Sequence, residues 1–573
     1  MGGTTSPGVK GEAGQGGVED PARGEPDLEG IFAGENVGTG DEPRTDVLAI
    51  GALEILQARC GACHSGAEDA GGIGDVTDVV AMIARGTILP GVGVDSPLIE
   101  SVRSGRMPPS VYQAPTRGEL EVLIDFIDGL SATAPTGDCG PLERMSYDDV
   151  YAALAADIET QPEESKPFVR YLGLQYASNA RYCGGLLQQQ RYALFKAINS
   201  VSTGSDVVVP VPIGLSELIY RIDLRDYGWD RPIDLEDDGT VDHGDGWLAI
   251  VAAAAPYGVE FAGPDADVVK MLAATPVPFL PVNAFVHATQ AGDVYYTLTG
   301  ARQNAEQTRL DLGIDWFERF EAGAVSRAAF SGPAGDAPWD AMVDRIEQLG
   351  RPGRNYWLMS MFTEIRGSSI YDDPLDRYGD SAQSIFNLPN GLQAYIVERA
   401  DNARLAQIPA PCVEGCYQLP RVNAAACHSC HASGIIPVED QMRTYVETYS
   451  MNFDNETIAD VQATYPTQAE LDALVASGSE IHRAALERAG VPRDEPDRVS
   501  SVYAGFELDV DLEHVSAELM LPLQLLQAGI QSGDPALVPF LEGASMPRAA
   551  FGQAYRRLLC SYSLGSNLPL TCQ

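Results

Sequence analysis

Two short motifs contain the residues of this chain that are best suited to chemistry. The chain reads ARCGACHSG near its start and AACHSCHAS in its last third, although it contains only seven histidines. In each motif two cysteines stand three positions apart and a histidine follows at once; these residues are Cys60, Cys63 and His64, and Cys427, Cys430 and His431. The spacing is typical of covalent c-type haem attachment, in which both thiols add to the haem and the histidine binds the iron. The sequence therefore predicts two covalently bound haem c groups as cofactors.

A methionine after the first motif is predicted to be the sixth ligand of the first iron. Met107 precedes a Pro-Pro turn in GRMPPS, and the following TRGELEVLIDFIDGL predicts a helix with Thr116 and Glu119 as a capping box. Histidine and methionine together occupy both axial positions of the iron and suit it to electron transfer. The alternative is that Met107 is an ordinary core methionine and does not bind the iron. This order of helix, motif, loop, Met-Pro and helix resembles a small cytochrome c domain over residues 46–135.

The sixth ligand of the second iron is less directly indicated. Met546 repeats the pattern of Met-Pro followed by a helix, in GASMPRAAFGQAYRRLL, and is the first candidate. The alternatives are Met442, Met451, His482 and His514. Both histidines stand in acidic, amphipathic segments where we expect exposure, and His428 is expected to face away from the iron. If none of these side chains binds the iron, the second site would be open to small molecules or peroxide.

Zinc is the alternative cofactor for the second motif. Cys412 and Cys416 precede the motif and would join Cys427 and Cys430 in a four-cysteine zinc site. The three-residue spacer between the first two of these cysteines is loose for zinc, and the first motif already indicates that the chain carries haem. We therefore expect haem at the second motif.

Six further cysteines indicate that the mature protein is exported. They are Cys139, Cys183, Cys412, Cys416, Cys560 and Cys572. An even number outside the motifs fits three disulfides, and disulfides and haem attachment both belong to an oxidising compartment, so we expect the periplasm or cell envelope. We expect the pairs Cys560–Cys572, Cys412–Cys416 and Cys139–Cys183. The start of the chain has no apolar signal core, so a signal peptide or lipid anchor is expected to have been removed.

Composition and periodicity divide the chain into four regions. Residues 1–45 are rich in Gly, Pro and acidic residues and are predicted to be a disordered acidic leader. Residues 46–137 form the predicted all-α cytochrome c domain, residues 138–410 a mixed α/β domain, and residues 411–573 a mostly α second haem domain. Helical patterns include MSYDDVYAALAADI, DQMRTYVETY and TQAELDALVASGSEIHRAALERAG; strand patterns include DVVVPVP, ELIYRIDL and the hairpin FNLPNGLQAYIV.

The charge of the chain restricts its partners. It has 38 basic and 81 acidic residues, a net charge of −43. Such a surface repels nucleic acid and anionic membranes and favours redox partners with cationic docking surfaces. The best apolar run, WLAIVAAAAPYGV, is interrupted by Pro256 and is too short to span a membrane.

The chain from about residue 145 to residue 573 resembles a family of secreted c-type cytochrome proteins of planctomycetes and myxobacteria. The stretches that carry the resemblance are KPFVRYLGLQY, LFKAINSVS, YRIDLRDYGWD, IFNLPNGLQAYIV and VNAAACHSCHASGIIPVEDQMR. The resemblance implies haem binding and electron transfer and brings no known substrate. This chain differs from the family pattern in having His428 where methionine is expected.

These features predict an exported di-haem c-type cytochrome that acts in electron transfer. Two other functions stay open. One is a di-haem enzyme such as a peroxidase, in which the first haem would feed electrons to an open second haem. The other is a redox-sensing binding protein whose middle domain docks a partner.

Overall fold

The computed structural model describes most of the chain after residue 143 and a smaller part before it. The described residues are 52–53, 55–61, 64–65, 68–69, 76, 79, 82, 87–88, 93, 96–103, 107, 114–129, 144–182, 185–214, 217–235, 237–331, 343–350, 355–362, 370–375, 381–406, 423–493, 495, 497–541 and 545–562. The predicted leader lies outside them, as do the predicted domain boundaries at 137 and 410. Backbone contacts separate residues 1–47 from residues 48–573, and every described residue belongs to the second unit.

The described part of the chain is mixed α/β, which the sequence predicted for residues 138–410. Two short strands within residues 64–69 depart from the all-α prediction for residues 46–137. The α-helices of the described part are α1 Pro97–Arg103, α2 Arg117–Gly129, α3 Tyr147–Glu159, α4 Gln175–Asn179, α5 Gly185–Ser200, α6 Leu224–Tyr227, α7 Gly246–Ala253, α8 Pro264–Ala273, α9 Val282–Thr289, α10 Gly292–Leu298, α11 Ala305–Asp311, α12 Trp316–Glu321, α13 Asn423–Cys430, α14 Met442–Thr448, α15 Asn455–Thr464, α16 Gln468–Arg488, α17 Val499–Glu507, α18 Leu512–Glu518, α19 Leu523–Gln531 and α20 Arg548–Tyr562. Residues 52–53 and 55–59 are also helical. None of the described helices has the length and apolar character that crossing a membrane requires.

Eleven strands of the described residues form three sheets. They are β1 His64–Ser65, β2 Glu68–Asp69, β3 Val169–Gly173, β4 Val211–Ile213, β5 Ile219–Asp223, β6 Phe279–Pro281, β7 Ser326–Ser331, β8 Val343–Gln348, β9 Tyr356–Phe362, β10 Ser381–Asn387 and β11 Gln393–Arg399. The first two strands pair with each other. A four-stranded sheet has the order β4-β5-β3-β6, with only β3 and β6 parallel, and a five-stranded antiparallel meander has the order β11-β10-β9-β8-β7.

Most of the elements predicted from local patterns are confirmed. Helix α2 begins with the predicted capping box, because the Thr116 N–H donates to Glu119 Oε2 at 2.7 Å and the Glu119 N–H donates to Thr116 Oγ1 at 3.2 Å. The hairpin of β10 and β11 is present, and Gly391 in its loop has a φ of 96°, which glycine adopts without strain. The strand predicted for DVVVPVP is wrong over most of its length. Only its end pairs, as part of β4, because proline has no backbone donor for a ladder.

Two large hydrophobic clusters hold the main body together. The first cluster runs in sequence from Leu172 to Tyr503 and includes Cys427. The second cluster runs from Tyr147 to Leu559 and includes Met546. Each combines residues from before position 406 with residues from after position 423, so the predicted middle and C-terminal regions share their cores. A third, smaller cluster lies wholly within the predicted cytochrome c region, between residues 52 and 127.

Candidate haem-attachment site

The second motif lies on helix α13 and the residue directly after it. Cys427 and Cys430 are one helical turn apart and therefore share a face of the helix. The His431 N–H donates to the Cys427 carbonyl at 2.9 Å, so helical bonding continues to the histidine. Cys427 is 7% exposed and Cys430 is exposed. Burial raises the pKa of the Cys427 thiol, which stays protonated at neutral pH.

A backbone carbonyl fixes the tautomer of the His431 imidazole. Its Nδ1 lies 3.0 Å from the carbonyl oxygen of Gly434. Because a carbonyl only accepts, Nδ1 carries the hydrogen and Nε2 carries the lone pair. Metal-binding histidines are commonly held in this way by a backbone carbonyl. Burial lowers the pKa of His431 to about 4, so the ring is neutral at physiological pH.

The loop that holds His431 depends on a glycine. Gly434 has a φ of 120°, and a Cβ atom at this position would lie 2.6 Å from the side chain of Ser479 on α16. The Ser479 hydroxyl accepts a hydrogen bond of 2.9 Å from the Ile435 N–H, which fixes the loop against that helix. Only glycine combines this backbone angle with so close an approach.

Gln290 and Tyr395 complete the surroundings of the motif. The Gln290 carbonyl accepts from the Ala425 N–H at 3.3 Å, and its Oε1 atom accepts from His428 Nε2 at 3.0 Å. His428 is fully buried, and burial, with a smaller effect of Lys196, lowers its pKa to about 3. These contacts hold the His428 ring inside the protein, and its expected orientation away from the iron stays a prediction. The Tyr395 ring stacks on His431 with centroids 5.9 Å apart.

His482 is fully buried, so the expectation that it is exposed is wrong. Strand β11 is the edge of its sheet, and its outward backbone donors need acceptors from outside the sheet. His482 Nδ1 supplies one, at 3.2 Å from the Gln393 nitrogen. Nδ1 therefore carries the lone pair and Nε2 carries the hydrogen, the reverse of His431. This arrangement argues against His482 as an iron ligand, because Nε2 has no lone pair to offer.

The structure places the other candidates for the second iron in different surroundings. Met546 is buried in the second cluster and its backbone pairs with Val510, whereas Cys427 belongs to the first cluster. Met442 is buried in a further cluster, Met451 is 98% exposed, and His514 Nδ1 is bonded to Asp511 at 3.0 Å. The role of Met546 as a ligand stays a prediction.

The first motif repeats the backbone bonding of the second. The His64 N–H donates to the Cys60 carbonyl at 3.1 Å, as the His431 N–H donates to the Cys427 carbonyl. His64 is 6% exposed, and within the described residues its buried Nδ1 atom has no hydrogen-bond partner. Cys63 lies outside that part of the chain.

Met107 and the capped helix α2 follow the first motif in the sequence. The Met107 N–H donates to the Ser101 carbonyl at 2.9 Å, and the residue is 41% exposed. An ion pair of 2.8 Å between Arg59 and Glu119 joins the residue before Cys60 to the first turn of α2. The predicted role of Met107 as a ligand stays a prediction.

Haem and a bare metal ion would need different donor atoms from the protein near the second motif. A zinc site needs four protein ligands, whereas haem brings its own four nitrogens and needs two thiols and axial ligands from the protein. In the described part of the chain, no group of three or more His, Cys, Asp or Glu residues is arranged to hold a metal ion. Cys412 and Cys416, which the zinc alternative requires, lie outside that part.

Cys560 on α20 is disulfide-bonded. The other five cysteines outside the motifs lie in segments that are not described, so the predicted pairings stay predictions. Comparison with protein families, with curated proteins and with solved structures finds no match to this chain. The function therefore has to be argued from the chain's own residues.

Only one of the residues that hold the second motif could have been predicted from the sequence. A glycine soon after a helical motif is a usual helix-ending signal, and it points to Gly434. Gln290, Tyr395 and Ser479 are distant in sequence and carry no local signal. Only the packing of α9, β11 and α16 around α13 brings them to the motif.

Proposed function

We propose that this protein is an exported di-haem c-type cytochrome that acts in electron transfer. Each motif would attach one haem through its two thiols and bind the iron through its histidine. The observation that carries this proposal is the ring of His431. It follows two cysteines at the required spacing, it is neutral, and its Nδ1–H is bonded to Gly434, so that Nε2 has a lone pair to give.

The residues around the second motif would keep the ligand in place. Bound haem supplies an iron that gains and loses one electron. Gly434 and Ser479 hold the His431 ring in one orientation, and the stacked, buried ring of Tyr395 covers one side of it. A ligand that is fixed in this way need not rearrange when the iron changes charge, which suits an electron carrier.

The sixth ligands of the two irons and the cell compartment are proposed from other features of the chain. Met107 is the proposed sixth ligand of the first iron and Met546 remains the first sequence candidate for the second. The disulfide at Cys560 supports an oxidising compartment such as the periplasm. With a net charge of −43, the protein would meet redox partners through their cationic surfaces.

Haem counting tests the proposal. We expect the full chain, made in a host with haem-attachment machinery, to keep two haem masses after denaturation and acid-acetone extraction. The double variants Cys60→Ser/Cys63→Ser and Cys427→Ser/Cys430→Ser should each keep one. Ser429→Ala, a change inside the second motif that spares the thiols, should keep both. A chain with one haem and one zinc would overturn the second site, and a chain without haem would overturn the proposal.

A di-haem enzyme with an open second iron is the second candidate function. The observation that favours it is that His482 Nδ1 accepts from the Gln393 N–H of β11 and that Met546 belongs to the second cluster, whereas Cys427 belongs to the first. The spin state of the reduced protein, with and without carbon monoxide, separates the two. An electron carrier should show two low-spin haems and no rapid uptake of the gas, whereas an enzyme should show one high-spin haem that binds it at once.

A further inference from the structure

A cleft beside the second motif is lined by one of the motif's cysteines. Its volume is about 440 Å³, and it lies between residues 432–437 and helix α16. Cys430 stands in its wall together with apolar side chains, which include Ile435, Ile436, Pro437, Val475 and Ala476. We call it the Cys430 cleft. An apolar cleft next to an attachment cysteine suits the flat and largely apolar ring of a haem.

The loop after Cys430 runs along α16 in the opposite direction to the helix. The Val438 carbonyl accepts at 2.9 Å from the side chain of the first residue of α16. The Ile435 N–H donates at 2.9 Å to Ser479, which lies much further along the same helix. Cys430 precedes both loop residues, so the course of the loop places it towards the end of the cleft that Arg483 lines.

Two charged side chains line the cleft towards its opposite ends. Asp472 and Arg483 stand eleven positions apart on α16, which corresponds to about 16 Å along a helix. Asp472 is exposed and accepts a hydrogen bond of 2.7 Å from Gln468. A carboxylate in the cleft would be repelled by Asp472 and attracted by Arg483. The two charges therefore direct the carboxylates of a bound group to the Arg483 end.

Arg483 has two terminal nitrogens that are available to a carboxylate. Within the described residues its ion pair joins Nε to Glu480 Oε2 at 3.6 Å, and its side chain is 32% exposed. Glu480 is bound more closely by Arg493, at 2.8 Å. In that part of the chain no oxygen accepts from the two terminal nitrogens of Arg483, and neither nitrogen is closed to solvent. A guanidinium binds a carboxylate through two parallel hydrogen bonds of this kind.

We propose that the Cys430 cleft holds the second haem and that Arg483 binds one of its propionate groups. This inference rests on the proposed function, because it requires haem at the second motif. In haem, each pyrrole ring that carries a vinyl group adjoins one that carries a propionate. A haem joined to Cys430 through a former vinyl group therefore has a carboxylate on the neighbouring ring, and the charges of the cleft select the Arg483 end for it.

The reduction potential of the second haem tests the role of Arg483 in the full chain with haem attached. A cation beside the propionate favours ferrous iron. Arg483→Gln should therefore lower the ratio of ferrous to ferric second haem about threefold at a fixed applied potential. The first haem should not change. Arg483→Lys keeps the charge and should retain most of the ratio. The Cys60→Ser/Cys63→Ser variant shows which potential belongs to the second haem.

Arg557→Gln is the matched control. Arg557 is 48% exposed, is paired with Asp534 at 2.9 Å and lies outside the cleft, so its replacement removes the same charge and should change neither potential. If the unmodified chain carries two haems and Arg483→Gln leaves the ratio unchanged, or Arg557→Gln lowers it equally, this inference alone is refuted. If haem counting finds no haem at the second motif, the proposed function fails there and the inference fails with it.

Discussion

Three imidazoles near the second motif differ in what they can do because their hydrogen bonds differ. His431 donates from Nδ1 and keeps its lone pair on Nε2. His482 accepts at Nδ1 from a strand N–H and so has its hydrogen on Nε2. His428 donates from Nε2 to Gln290. The motif spacing singles out His431 as the candidate ligand, and this role stays a prediction. The spacing could not show the burial of His482, because the strand that needs its lone pair is distant in sequence.

Gly434→Ala should destabilise the loop that holds His431. Alanine at a φ of 120° is strained, and its Cβ would lie 2.6 Å from the side chain of Ser479. We expect a loss of roughly 1–3 kcal/mol in the free energy of unfolding, together with a changed spectrum of the second haem. Gly505→Ala is the control. A Cβ at Gly505 meets no atom within 4 Å, so chemical denaturation should show no loss. Equal midpoints for the two variants would contradict the role of Gly434.

If Met107 is the proposed sixth ligand, Met107→Ala should change only the haem proposed for the first motif. A thioether ligand favours ferrous iron, so its removal should lower the potential of the first haem and abolish the weak thioether-to-iron absorption band in the red. Met82→Leu is the control, because Met82 is fully buried in the third cluster and leucine preserves its apolar volume. Spectroelectrochemical titration of both variants decides the matter. A retained band in Met107→Ala would reject Met107 as the ligand.

At the scale of elements, the local patterns of the sequence were sufficient for helices α2, α3, α16 and α20 and for the hairpin of β10 and β11. Their caps, periodicity and turn residues act within a few positions. The contacts that hold α13 could not be predicted from local patterns. It depends on Gln290 after α9, on Ser479 of α16 and on the edge strand β11, which only the folded chain brings together.

A buried ion pair beside α13 gives a prediction at this scale. Lys196 on α5 binds Asp497, just before α17, at 2.8 Å, and both side chains are buried. Burial alone would raise the pKa of Asp497, but Lys196 and hydrogen bonds hold it well below its usual range. Lys196→Met leaves a buried carboxylate unpaired and should cost about 3–5 kcal/mol. The double variant Lys196→Met/Asp497→Leu should recover most of this loss in urea denaturation.

The pH dependence of unfolding provides a check on the same pair. A carboxyl whose pKa is lowered by folding stabilises the protein above the pKa of the unfolded state, about 3.9, and this contribution is lost as the pH falls below it. In Lys196→Met the unpaired carboxyl is easier to bury when protonated. The difference between this variant and the unmodified protein should therefore shrink as the pH is lowered towards 4. A difference that is independent of pH would show that the carboxylate is not the cause.

At the scale of the whole molecule, the domain boundary predicted from composition at residue 410 does not match the packing of the hydrophobic clusters. Residues on both sides of position 410 enter the first and the second cluster together. Compositional change marks linkers, but it cannot show which distant segments share a core. The third cluster differs, because all its members lie between residues 52 and 127. The parts of the chain therefore differ in how far the folding of one depends on the others.

A fragment of residues 46–137 should fold without the rest of the chain. All the described members of its hydrophobic cluster lie within the fragment, the Arg59–Glu119 ion pair joins its first helix to α2, and a covalent haem would add further buried surface. We expect one haem per chain and a cooperative thermal transition by circular dichroism. The matched fragment of residues 411–573 should not fold by itself, because its apolar residues lose their partners from before position 406. A cooperative transition in the second fragment, or its absence in the first, would show that the clusters do not decide which parts of this chain fold alone.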